Sequence, residues 1–188
     1  CTCGWFYTAC IPNGCTVCSN NGQLVGYTGR QTAYYGSFYD TSCQTASIIN
    51  SPNAMKLNSC DASATSGITI TNDGSGNPTR ITASQTGTYN IIFSAQLSRA
   101  SGGTAETATI WLRCNGTTSA ADVPNSATNV SIQANASALV ASWNFFLKLN
   151  AGEYAQLMWS TTDTGISIKN FAANGTVPYP AVPSLIVT

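Results

Sequence analysis

The sequence contains no histidine and very little charge. Only 7% of its 188 residues are charged, and seven basic and seven acidic residues give a formal net charge of zero. An average soluble protein has about 25% charged residues. Recognition of nucleic acid requires a basic stripe, and attraction to anionic lipid requires basic clusters. The composition therefore excludes nucleic acid as a partner and predicts a surface solvated by Ser, Thr, Asn and Gln.

Long apolar runs are also missing. No stretch reaches the roughly 18 apolar residues of a membrane-spanning helix, so we predict no membrane insertion. No signal peptide is recognisable, and the chain begins with Cys1 rather than Met. We therefore expect a processed or trimmed product.

The absence of histidine removes the usual general base of a Ser or Cys hydrolase. Lys56, Lys148 or Lys169 would have to replace it, and nothing in their spacing suggests a Ser–Lys pair. The carboxylates are dispersed. Asp61 and Asp73 could approach across a turn as a glycosidase pair, but each also fits a turn or cap. We predict no enzymatic activity, no catalytic residue and no cofactor.

Metal binding is disfavoured by the same composition. A zinc site would need four thiolates, and Cys15 and Cys18 form the one CxxC spacing. Asp73, within Asn72–Asn77, faintly resembles part of a calcium loop, but the following acidic ligand is missing. The favoured interpretation of Asp73 is a turn residue, and the sequence predicts no metal site.

The sequence does contain eight cysteines, and they are distributed unevenly. Five lie in a short segment rich in Gly, Asn and Thr that cannot bury a core by itself, which favours disulfides over zinc or reduced buried thiols. Five is odd, so at least one must pair outside that segment, with a later cysteine or a neighbouring subunit. The disulfide candidates are Cys1, Cys3, Cys10, Cys15 and Cys18 near the N-terminus, and Cys43, Cys60 and Cys114 beyond it. Such bridges indicate an oxidising location or assembly outside the cytoplasm.

The patterning is that of an all-β protein. Short runs alternate with period two and are separated by turn residues. Gly87–Leu97 and Ala138–Leu149 are long runs, and the best helix candidate, Thr41–Asn58, is interrupted by Pro52. Asn72–Pro78 predicts a turn followed by a returning strand at Arg80, and Asn115–Gly116 predicts a tight hairpin.

About ten strands with frequent turns predict a sandwich, most readily a jelly roll. The sequence predicts two domains: a Cys-rich N-terminal arm over residues 1–33 and the jelly roll over residues 34–188. The apolar C-terminal strand Leu185–Thr188 is expected to lie centrally, paired near Gly36–Asp40.

Several of these strands resemble those of a known family. Gly87–Phe93 resembles the "G-x-Y-x-F" strand of C1q/TNF-like jelly rolls, Leu149–Leu157 resembles their "L-x-x-G-D-x-V-x-L" hairpin, and Ile110–Gly116 is similar to the strand that ends in "K-N-G". The order and spacing of the three also fit. More narrowly, a wider set resembles a domain of tailed-phage structural proteins: Tyr35–Asp40, Ile110–Gly116, Val123–Asn125, Ala141–Phe145 and Gln156–Ser160.

The resemblance implies a homotrimer that forms a knob on a virion, either a capsid decoration or the head of a spike or tail fibre. It implies an extracellular location on the virion surface. The Cys-rich arm departs from the fibrous segment often found upstream in phage relatives, so we expect a compact, disulfide-stabilised knob attached to other virion proteins through the arm.

The aromatic side chains of the sequence supply candidate contacts for such an assembly. Trimer-interface candidates are Tyr35, Phe38, Tyr39, Trp143, Phe145 and Trp159. In the arm, Trp5, Phe6 and Tyr7 either pack beneath the disulfides or dock onto a partner. Two alternatives remain: a host-receptor or glycan-binding fibre tip acting through the loops Asn72–Pro78, Arg99–Thr104 and Asn115–Pro124, and a secreted bacterial surface or filament subunit.

Overall fold

The computed structural model describes residues 17–20, 23–27, 33–100, 102–135 and 138–188. Contacts along the chain divide it into two units, Cys1–Ala33 and Tyr34–Thr188, and each is described by itself. In the first unit, the described backbone forms an antiparallel hairpin of β1 (Val17–Asn20) and β2 (Gln23–Tyr27).

The described residues of the second unit form thirteen strands and two short 3-10 turns, Ala62–Ala64 and Ser119–Ala121. The strands are β3 (Phe38–Asp40), β4 (Gln44–Thr45), β5 (Asn53–Ala54), β6 (Ser59–Cys60), β7 (Ile68–Asn72), β8 (Pro78–Ala83), β9 (Gly87–Arg99), β10 (Glu106–Cys114), β11 (Thr128–Ile132), β12 (Leu139–Leu149), β13 (Tyr154–Thr161), β14 (Ile166–Ile168) and β15 (Leu185–Val187). Within the described ranges, no helix has the length and apolar character needed to cross a membrane.

The strands form two antiparallel sheets that pack as a jelly-roll-like sandwich. In sheet I, one edge of β9 pairs with β12, and the other edge pairs with β15 and β14. Strand β15 also pairs with β3, which pairs with β6, and β14 also pairs with β4. Sheet II has the order β11-β10-β13-β8-β7, with β5 also paired to β13. The predicted all-β sandwich is confirmed.

The core lies between the sheets and follows from the alternation of side chains along each strand. On β9 the buried residues are Ile91, Phe93, Ala95 and Leu97, whereas Ile92 between them is 45% exposed. Strand β8 alternates in the same way, with Thr79, Ile81 and Ala83 buried. Burial of these apolar faces stabilises the fold by about 25 cal/mol for each Å² removed from water.

The C-terminal strand lies where the sequence predicts. Leu185 pairs with Asp40 and Val187 with Phe38, and the other edge of β15 pairs with β9. The turn at Asn72–Pro78 and the returning strand β8 are also confirmed. The segment Thr41–Asn58 contains the short strands β4 and β5 in place of a helix.

The tight hairpin predicted at Asn115–Gly116 is wrong. Asn115 does adopt a left-handed conformation with φ of 51°, but β11 begins only at Thr128. The connection is held open by Arg113, whose Nε donates to Oδ1 of Asp122 at 2.7 Å, and by the Asn115 side chain, which accepts from the Tyr154 N–H at 2.9 Å. Asn115 is therefore bonded to β13, and the chain does not turn directly from β10 into a returning strand.

Candidate functional site

The outward side of sheet I carries four exposed apolar side chains among polar ones. They are Ile92 on β9, Val140 and Phe146 on β12, and Ile186 on β15, which are 45%, 54%, 73% and 38% exposed. They point away from the core because they occupy the alternate positions of strands whose other residues are buried. Together with the half-exposed Tyr39 of β3, these four residues are called the sheet I patch below.

Strand β12 ends sheet I with a free edge. It pairs with β9 along its whole length, and no strand of the described chain pairs with its other edge. Trp143 and Phe145 point inward beside this edge and pack on Phe93, with ring centroids 4.6 Å and 6.1 Å away. Both remain only half-buried. An unpaired strand edge offers N–H and C=O groups to another chain.

The predicted trimer-interface residues divide into three groups. Tyr39, Trp143 and Phe145 lie on the sheet I patch or beside the free edge of β12. Phe38 and Trp159 are 3% and 1% exposed within the core of the single chain, so their prediction as interface residues is wrong. Each belongs to the alternating set that faces the sandwich interior. Tyr35 is 51% exposed but lies elsewhere, at the mouth of a cavity.

The patch residues Ile92, Val140, Phe146 and Ile186 were not predicted. The signal for Ile92 was present, because the alternation that places Ile91 and Phe93 inside requires Ile92 to point outward. In β12, four of the five residues of Trp143–Leu147 are apolar. The alternation of the sequence alone therefore did not show which of Phe145 and Phe146 faces the core.

Seven predicted residues of the N-terminal arm lie outside the described residues, namely Cys1, Cys3, Cys10, Cys15, Trp5, Phe6 and Tyr7. Cys18 belongs to β1, of which the backbone is described. The proposed docking of the arm aromatics and the bridges within the arm therefore stay predictions.

The three later cysteines carry free thiols. A bridge between any two of Cys43, Cys60 and Cys114 is therefore contradicted. Cys43 and Cys60 are exposed on the sheet I side, whereas Cys114 ends β10 in sheet II opposite Ala155. Burial raises the pKa of the Cys114 thiol to about 11, and the negative charge of Glu153 adds to the effect.

Asp61 and Asp73, the two carboxylates considered as a glycosidase pair, each stabilise a local turn. Asp61 accepts from the Ser63 hydroxyl and N–H, which lowers its pKa. Partial burial alone would raise the pKa of Asp73, but hydrogen bonds from Asn77, Ser75 and Thr79 lower it. The turn interpretation of Asp73 is confirmed, and the described residues contain no group of three metal-binding side chains.

Two arginines are buried in ion pairs at opposite ends of β10. Arg99 contacts Asp163, and Arg113 contacts Asp122. Burial alone would raise the pKa of Asp122, but the hydrogen bond from Arg113 and the Arg113 charge lower it. The loop from Arg99 to Thr104 precedes β10 and the loop from Asn115 to Pro124 follows it. These two loops therefore lie at opposite ends of the strand and do not form one glycan site.

A cavity of about 440 Å³ opens at the end of the sandwich where β9 begins. Its floor is apolar and comes from both sheets, including Phe38, Ile68, Ile81, Ile91 and Leu149. Its rim carries tyrosines and small neutral polar residues, namely Tyr34, Tyr35, Tyr89, Thr86, Thr88, Asn90 and Thr188. No side chain in this lining carries a formal charge at neutral pH.

Comparison with known proteins assigns neither a family nor an activity to the chain. No protein-family model matches the chain, and no curated protein matches it. Among solved structures, the chain is similar to an exo-beta-1,3-galactanase from Phanerochaete chrysosporium, crystallised with beta-1,3-galactotriose. The identity is 15%, the match covers 83% of this chain and 29% of the galactanase, and the TM-score is 0.25. The chain thus spans less than a third of that enzyme, and a likeness at this level assigns no activity.

Proposed function

We propose that this protein is a structural subunit of a tailed-bacteriophage virion and assembles as a homotrimeric knob, either a capsid decoration or the head of a spike or fibre. The observation that carries the self-association is the sheet I patch. Phe146, at 73% exposure, projects a full aromatic ring into water on β12, the edge strand of the sheet. Large apolar side chains exposed on one sheet face of a soluble protein are candidates for an interaction site.

The electrostatics of the patch favour a second copy of the same chain as its partner. Lys148 is the one charged residue among the outward positions of β3, β9, β12 and β15 in the described chain. A neutral surface neither attracts nor repels a copy of itself, and apolar burial then decides the association.

Two different contact surfaces on one subunit favour assembly into a closed ring. The sheet I patch and the free edge of β12 are distinct, adjacent surfaces on one molecule. A contact that joins the edge of one subunit to the patch of the next is heterologous, and such contacts close into a ring when the rotation permits. Three subunits are the number implied by the resemblance to C1q/TNF-like jelly rolls. The narrower resemblance to a domain of tailed-phage structural proteins supports the phage assignment.

Sedimentation velocity of the full chain tests the trimer. We expect a species with three times the 19.6 kDa mass of the chain at micromolar concentration. Phe146→Ser should yield monomer, because it replaces the most exposed apolar side chain of the sheet I patch with a hydroxyl. Ile48→Ser is the matched control, since Ile48 is 64% exposed but lies in the loop after β4. A wild-type monomer at these concentrations contradicts the trimer.

The virion assignment has its own test. Particles purified by density gradient from cells that carry the gene should yield peptides of this chain in mass spectrometry, in a fixed ratio to the major capsid protein. Recovery of the protein only from the culture supernatant or the cell surface, and not from banded particles, would instead favour the secreted bacterial subunit.

A further inference from the structure

The segment between β14 and β15 forms a short hairpin with an Asn-Gly pair at its turn. The backbones of Phe171 and Val182 bond to each other at 3.0 and 2.9 Å, and the Asn174 N–H donates to the Tyr179 carbonyl at 3.3 Å. Asn174 is half-buried, whereas residues 175–181 are exposed. The hairpin therefore holds Asn174 in place while the turn that follows it stays open to water.

Nothing in the turn requires a glycine after Asn174. Gly175 does not have the positive φ that favours glycine, and no atom lies within 4 Å of the position that its Cβ would take. Among the described residues, no group accepts a hydrogen bond from its N–H. The Gly175 nitrogen therefore has neither a side chain beside it nor an acceptor that holds it away from the preceding side chain.

Two backbone donors hold the side-chain carbonyl of Asn174. Its Oδ1 accepts from the Thr176 N–H at 2.8 Å and from the Val177 N–H at 3.2 Å. These donors are already in place for the negative charge that develops on Oδ1 when a nucleophile adds to Cγ. Donors placed in advance in this way stabilise tetrahedral intermediates at carbonyl carbons.

The side-chain nitrogen of Asn174 lies beside a hydroxyl. Nδ2 is 3.5 Å from the Tyr179 hydroxyl oxygen, to which it donates in the resting amide. Once Cγ is tetrahedral, Nδ2 has a free lone pair and can accept a proton from the same hydroxyl, which makes it a better leaving group. Tyr179 is 41% exposed, so solvent can replace that proton.

We propose that Asn174 is a self-modification site, at which the chain converts its own side-chain amide into a carboxylate. The Gly175 nitrogen loses its proton to solvent and attacks Cγ of Asn174. The bond from Cγ to Nδ2 then breaks, and ammonia leaves with the proton from Tyr179. Water opens the resulting succinimide at either carbonyl and leaves aspartate or isoaspartate at this position. Water is consumed and ammonia is released, so the step needs no oxidant or reductant.

A second Asn-Gly pair among the described residues provides an internal comparison. Oδ1 of Asn115 accepts from the Tyr154 N–H at 2.9 Å, and the Asn115 N–H donates to the Tyr154 carbonyl at 3.2 Å, so this residue is held against β13. Gly116 is packed, because a Cβ there would lie 2.5 Å from Cβ of Ala121. The same dipeptide should therefore react slowly at this position.

The reaction changes the charge of a neutral segment. Residues 170–188 contain no charged side chain, and the formal net charge of the chain is zero. Aspartate or isoaspartate in place of Asn174 adds a negative charge, so anion-exchange chromatography separates the product from the parent. Isoaspartate also inserts the side-chain carbon into the main chain and should disrupt the backbone bond to Tyr179.

The test is incubation of the purified full-length chain at mildly alkaline pH, followed by peptide mapping. Mapping gives separate rates for Asn174, for Asn115 and for the Asn-Gly pairs at Asn13 and Asn21 of the arm. In the folded protein we expect Asn174 to react at least about tenfold faster than Asn115. In guanidinium chloride the two rates should converge and the rate at Asn174 should fall, because only the folded turn places the donors. A rate at Asn174 that is no higher in the folded than in the unfolded chain overturns the proposal.

Two variants test the roles of the neighbouring groups. Gly175→Ala should slow the reaction at least about tenfold, because a methyl group obstructs the approach of the nitrogen to Cγ. The open space at this residue lets the hairpin accept alanine, which thermal unfolding checks. Tyr179→Phe should slow the reaction about threefold, the effect of one hydrogen bond, in the folded chain alone. Tyr35→Phe, at an exposed tyrosine outside this hairpin, should react as the wild type does. An unchanged rate in Tyr179→Phe would show that Tyr179 is not the proton donor.

Discussion

Arg99 and Asp163 connect the end of β9 to the turn after β13 through a single carboxylate oxygen. Nε and Nη2 of Arg99 lie 2.8 and 2.7 Å from Oδ2 of Asp163. The same guanidinium donates through Nη1 to the carbonyl of Thr104, and Glu106 lies 4.0 Å from Nη2. The buried guanidinium therefore fixes the loop between β9 and β10 as well as the turn at Asp163.

The first prediction concerns Gly102, which packs against that guanidinium. A Cβ at Gly102 would lie 2.2 Å from Nη2 of Arg99, and the φ of +144° strains any other residue. Gly102→Ala should lower the free energy of unfolding by about 1–3 kcal/mol. Gly103→Ala is the control, because nothing lies within 4 Å of its Cβ position. Equal stability of the two variants in urea unfolding would contradict the packing of Arg99 on Gly102.

A second prediction follows from the lowered carboxylate pKa values. Hydrogen bonds from the Gly165 N–H and from Arg99 lower the pKa of Asp163 in the folded protein, and the pKa values of Asp61, Asp73, Asp122 and Glu153 are also lowered. A folded-state pKa below the unfolded value of about 3.9 contributes stability above that value, which is lost as the pH falls through the folded pKa.

The free energy of unfolding should therefore be nearly constant from about pH 7 to about pH 5 and then fall steadily below about pH 4. No histidine is present to titrate in the upper range. Asp163→Asn should be less stable at neutral pH and should show a shallower decline in acid, whereas Ser131→Ala should follow the wild type. Urea titrations across this pH range measure how steeply the stability of each variant declines. A decline for Asp163→Asn parallel to that of the wild type would contradict the lowered pKa of Asp163 in the folded protein.

The sequence predicted those parts of the fold in which one strand face is buried. Ile91, Phe93 and Ala95 alternate with polar or exposed neighbours, and that periodicity is local, so it predicted β9 and its inward face. The apolar end at Leu185–Val187 predicted a central strand, because a run of apolar residues without a polar tail favours a buried position. Strands β4 and β5 are two residues long and contain no periodicity, so their pairing depends on tertiary contacts.

The interface candidates show why the site was harder to predict. Apolar aromatic residues are common to cores and interfaces, so residue type alone placed Phe38 and Trp159 at an interface although the core contains them. The cavity where β9 begins is lined by residues of both sheets, including Phe38 and Ile81, and no local pattern brings these residues together. Gly36 was included in a strand motif, yet its role in the cavity mouth follows only from the approach of Phe38.

A third prediction concerns thiol reactivity. Only the thiolate reacts with alkylating reagents, and a pKa of about 11 leaves about one thousandth of Cys114 ionised near pH 8. Iodoacetamide should therefore modify Cys114 at least about a hundredfold more slowly than the exposed Cys43 and Cys60. Peptide mapping by mass spectrometry gives each rate, and labelling in urea should remove the difference. Rapid labelling of Cys114 in the folded protein would show that the end of β10 is open.

The last prediction concerns Gln44, whose side chain forms hydrogen bonds to the backbone of Lys56 that a neighbouring strand could otherwise form. Its Oε1 accepts from the Lys56 N–H at 2.8 Å, and its Nε2 donates to the Lys56 carbonyl at 3.0 Å and to Asp40 at 3.2 Å. Gln44 is 6% exposed, so Gln44→Leu keeps the volume but leaves these polar groups without partners. We expect a loss of about 1–3 kcal/mol in the free energy of unfolding.

The matched control for that substitution is Gln133→Leu, at an exposed position after β11, which should change stability by less than about 0.5 kcal/mol. Hydrogen exchange gives an independent measurement, because the Lys56 N–H should be protected in the wild type and should exchange faster in Gln44→Leu. The N–H of Met55 bonds to the Leu157 carbonyl at 2.8 Å and should keep its protection. Loss of protection at both residues would mean that Gln44 holds the whole segment between β5 and β6 against sheet II, rather than Lys56 alone.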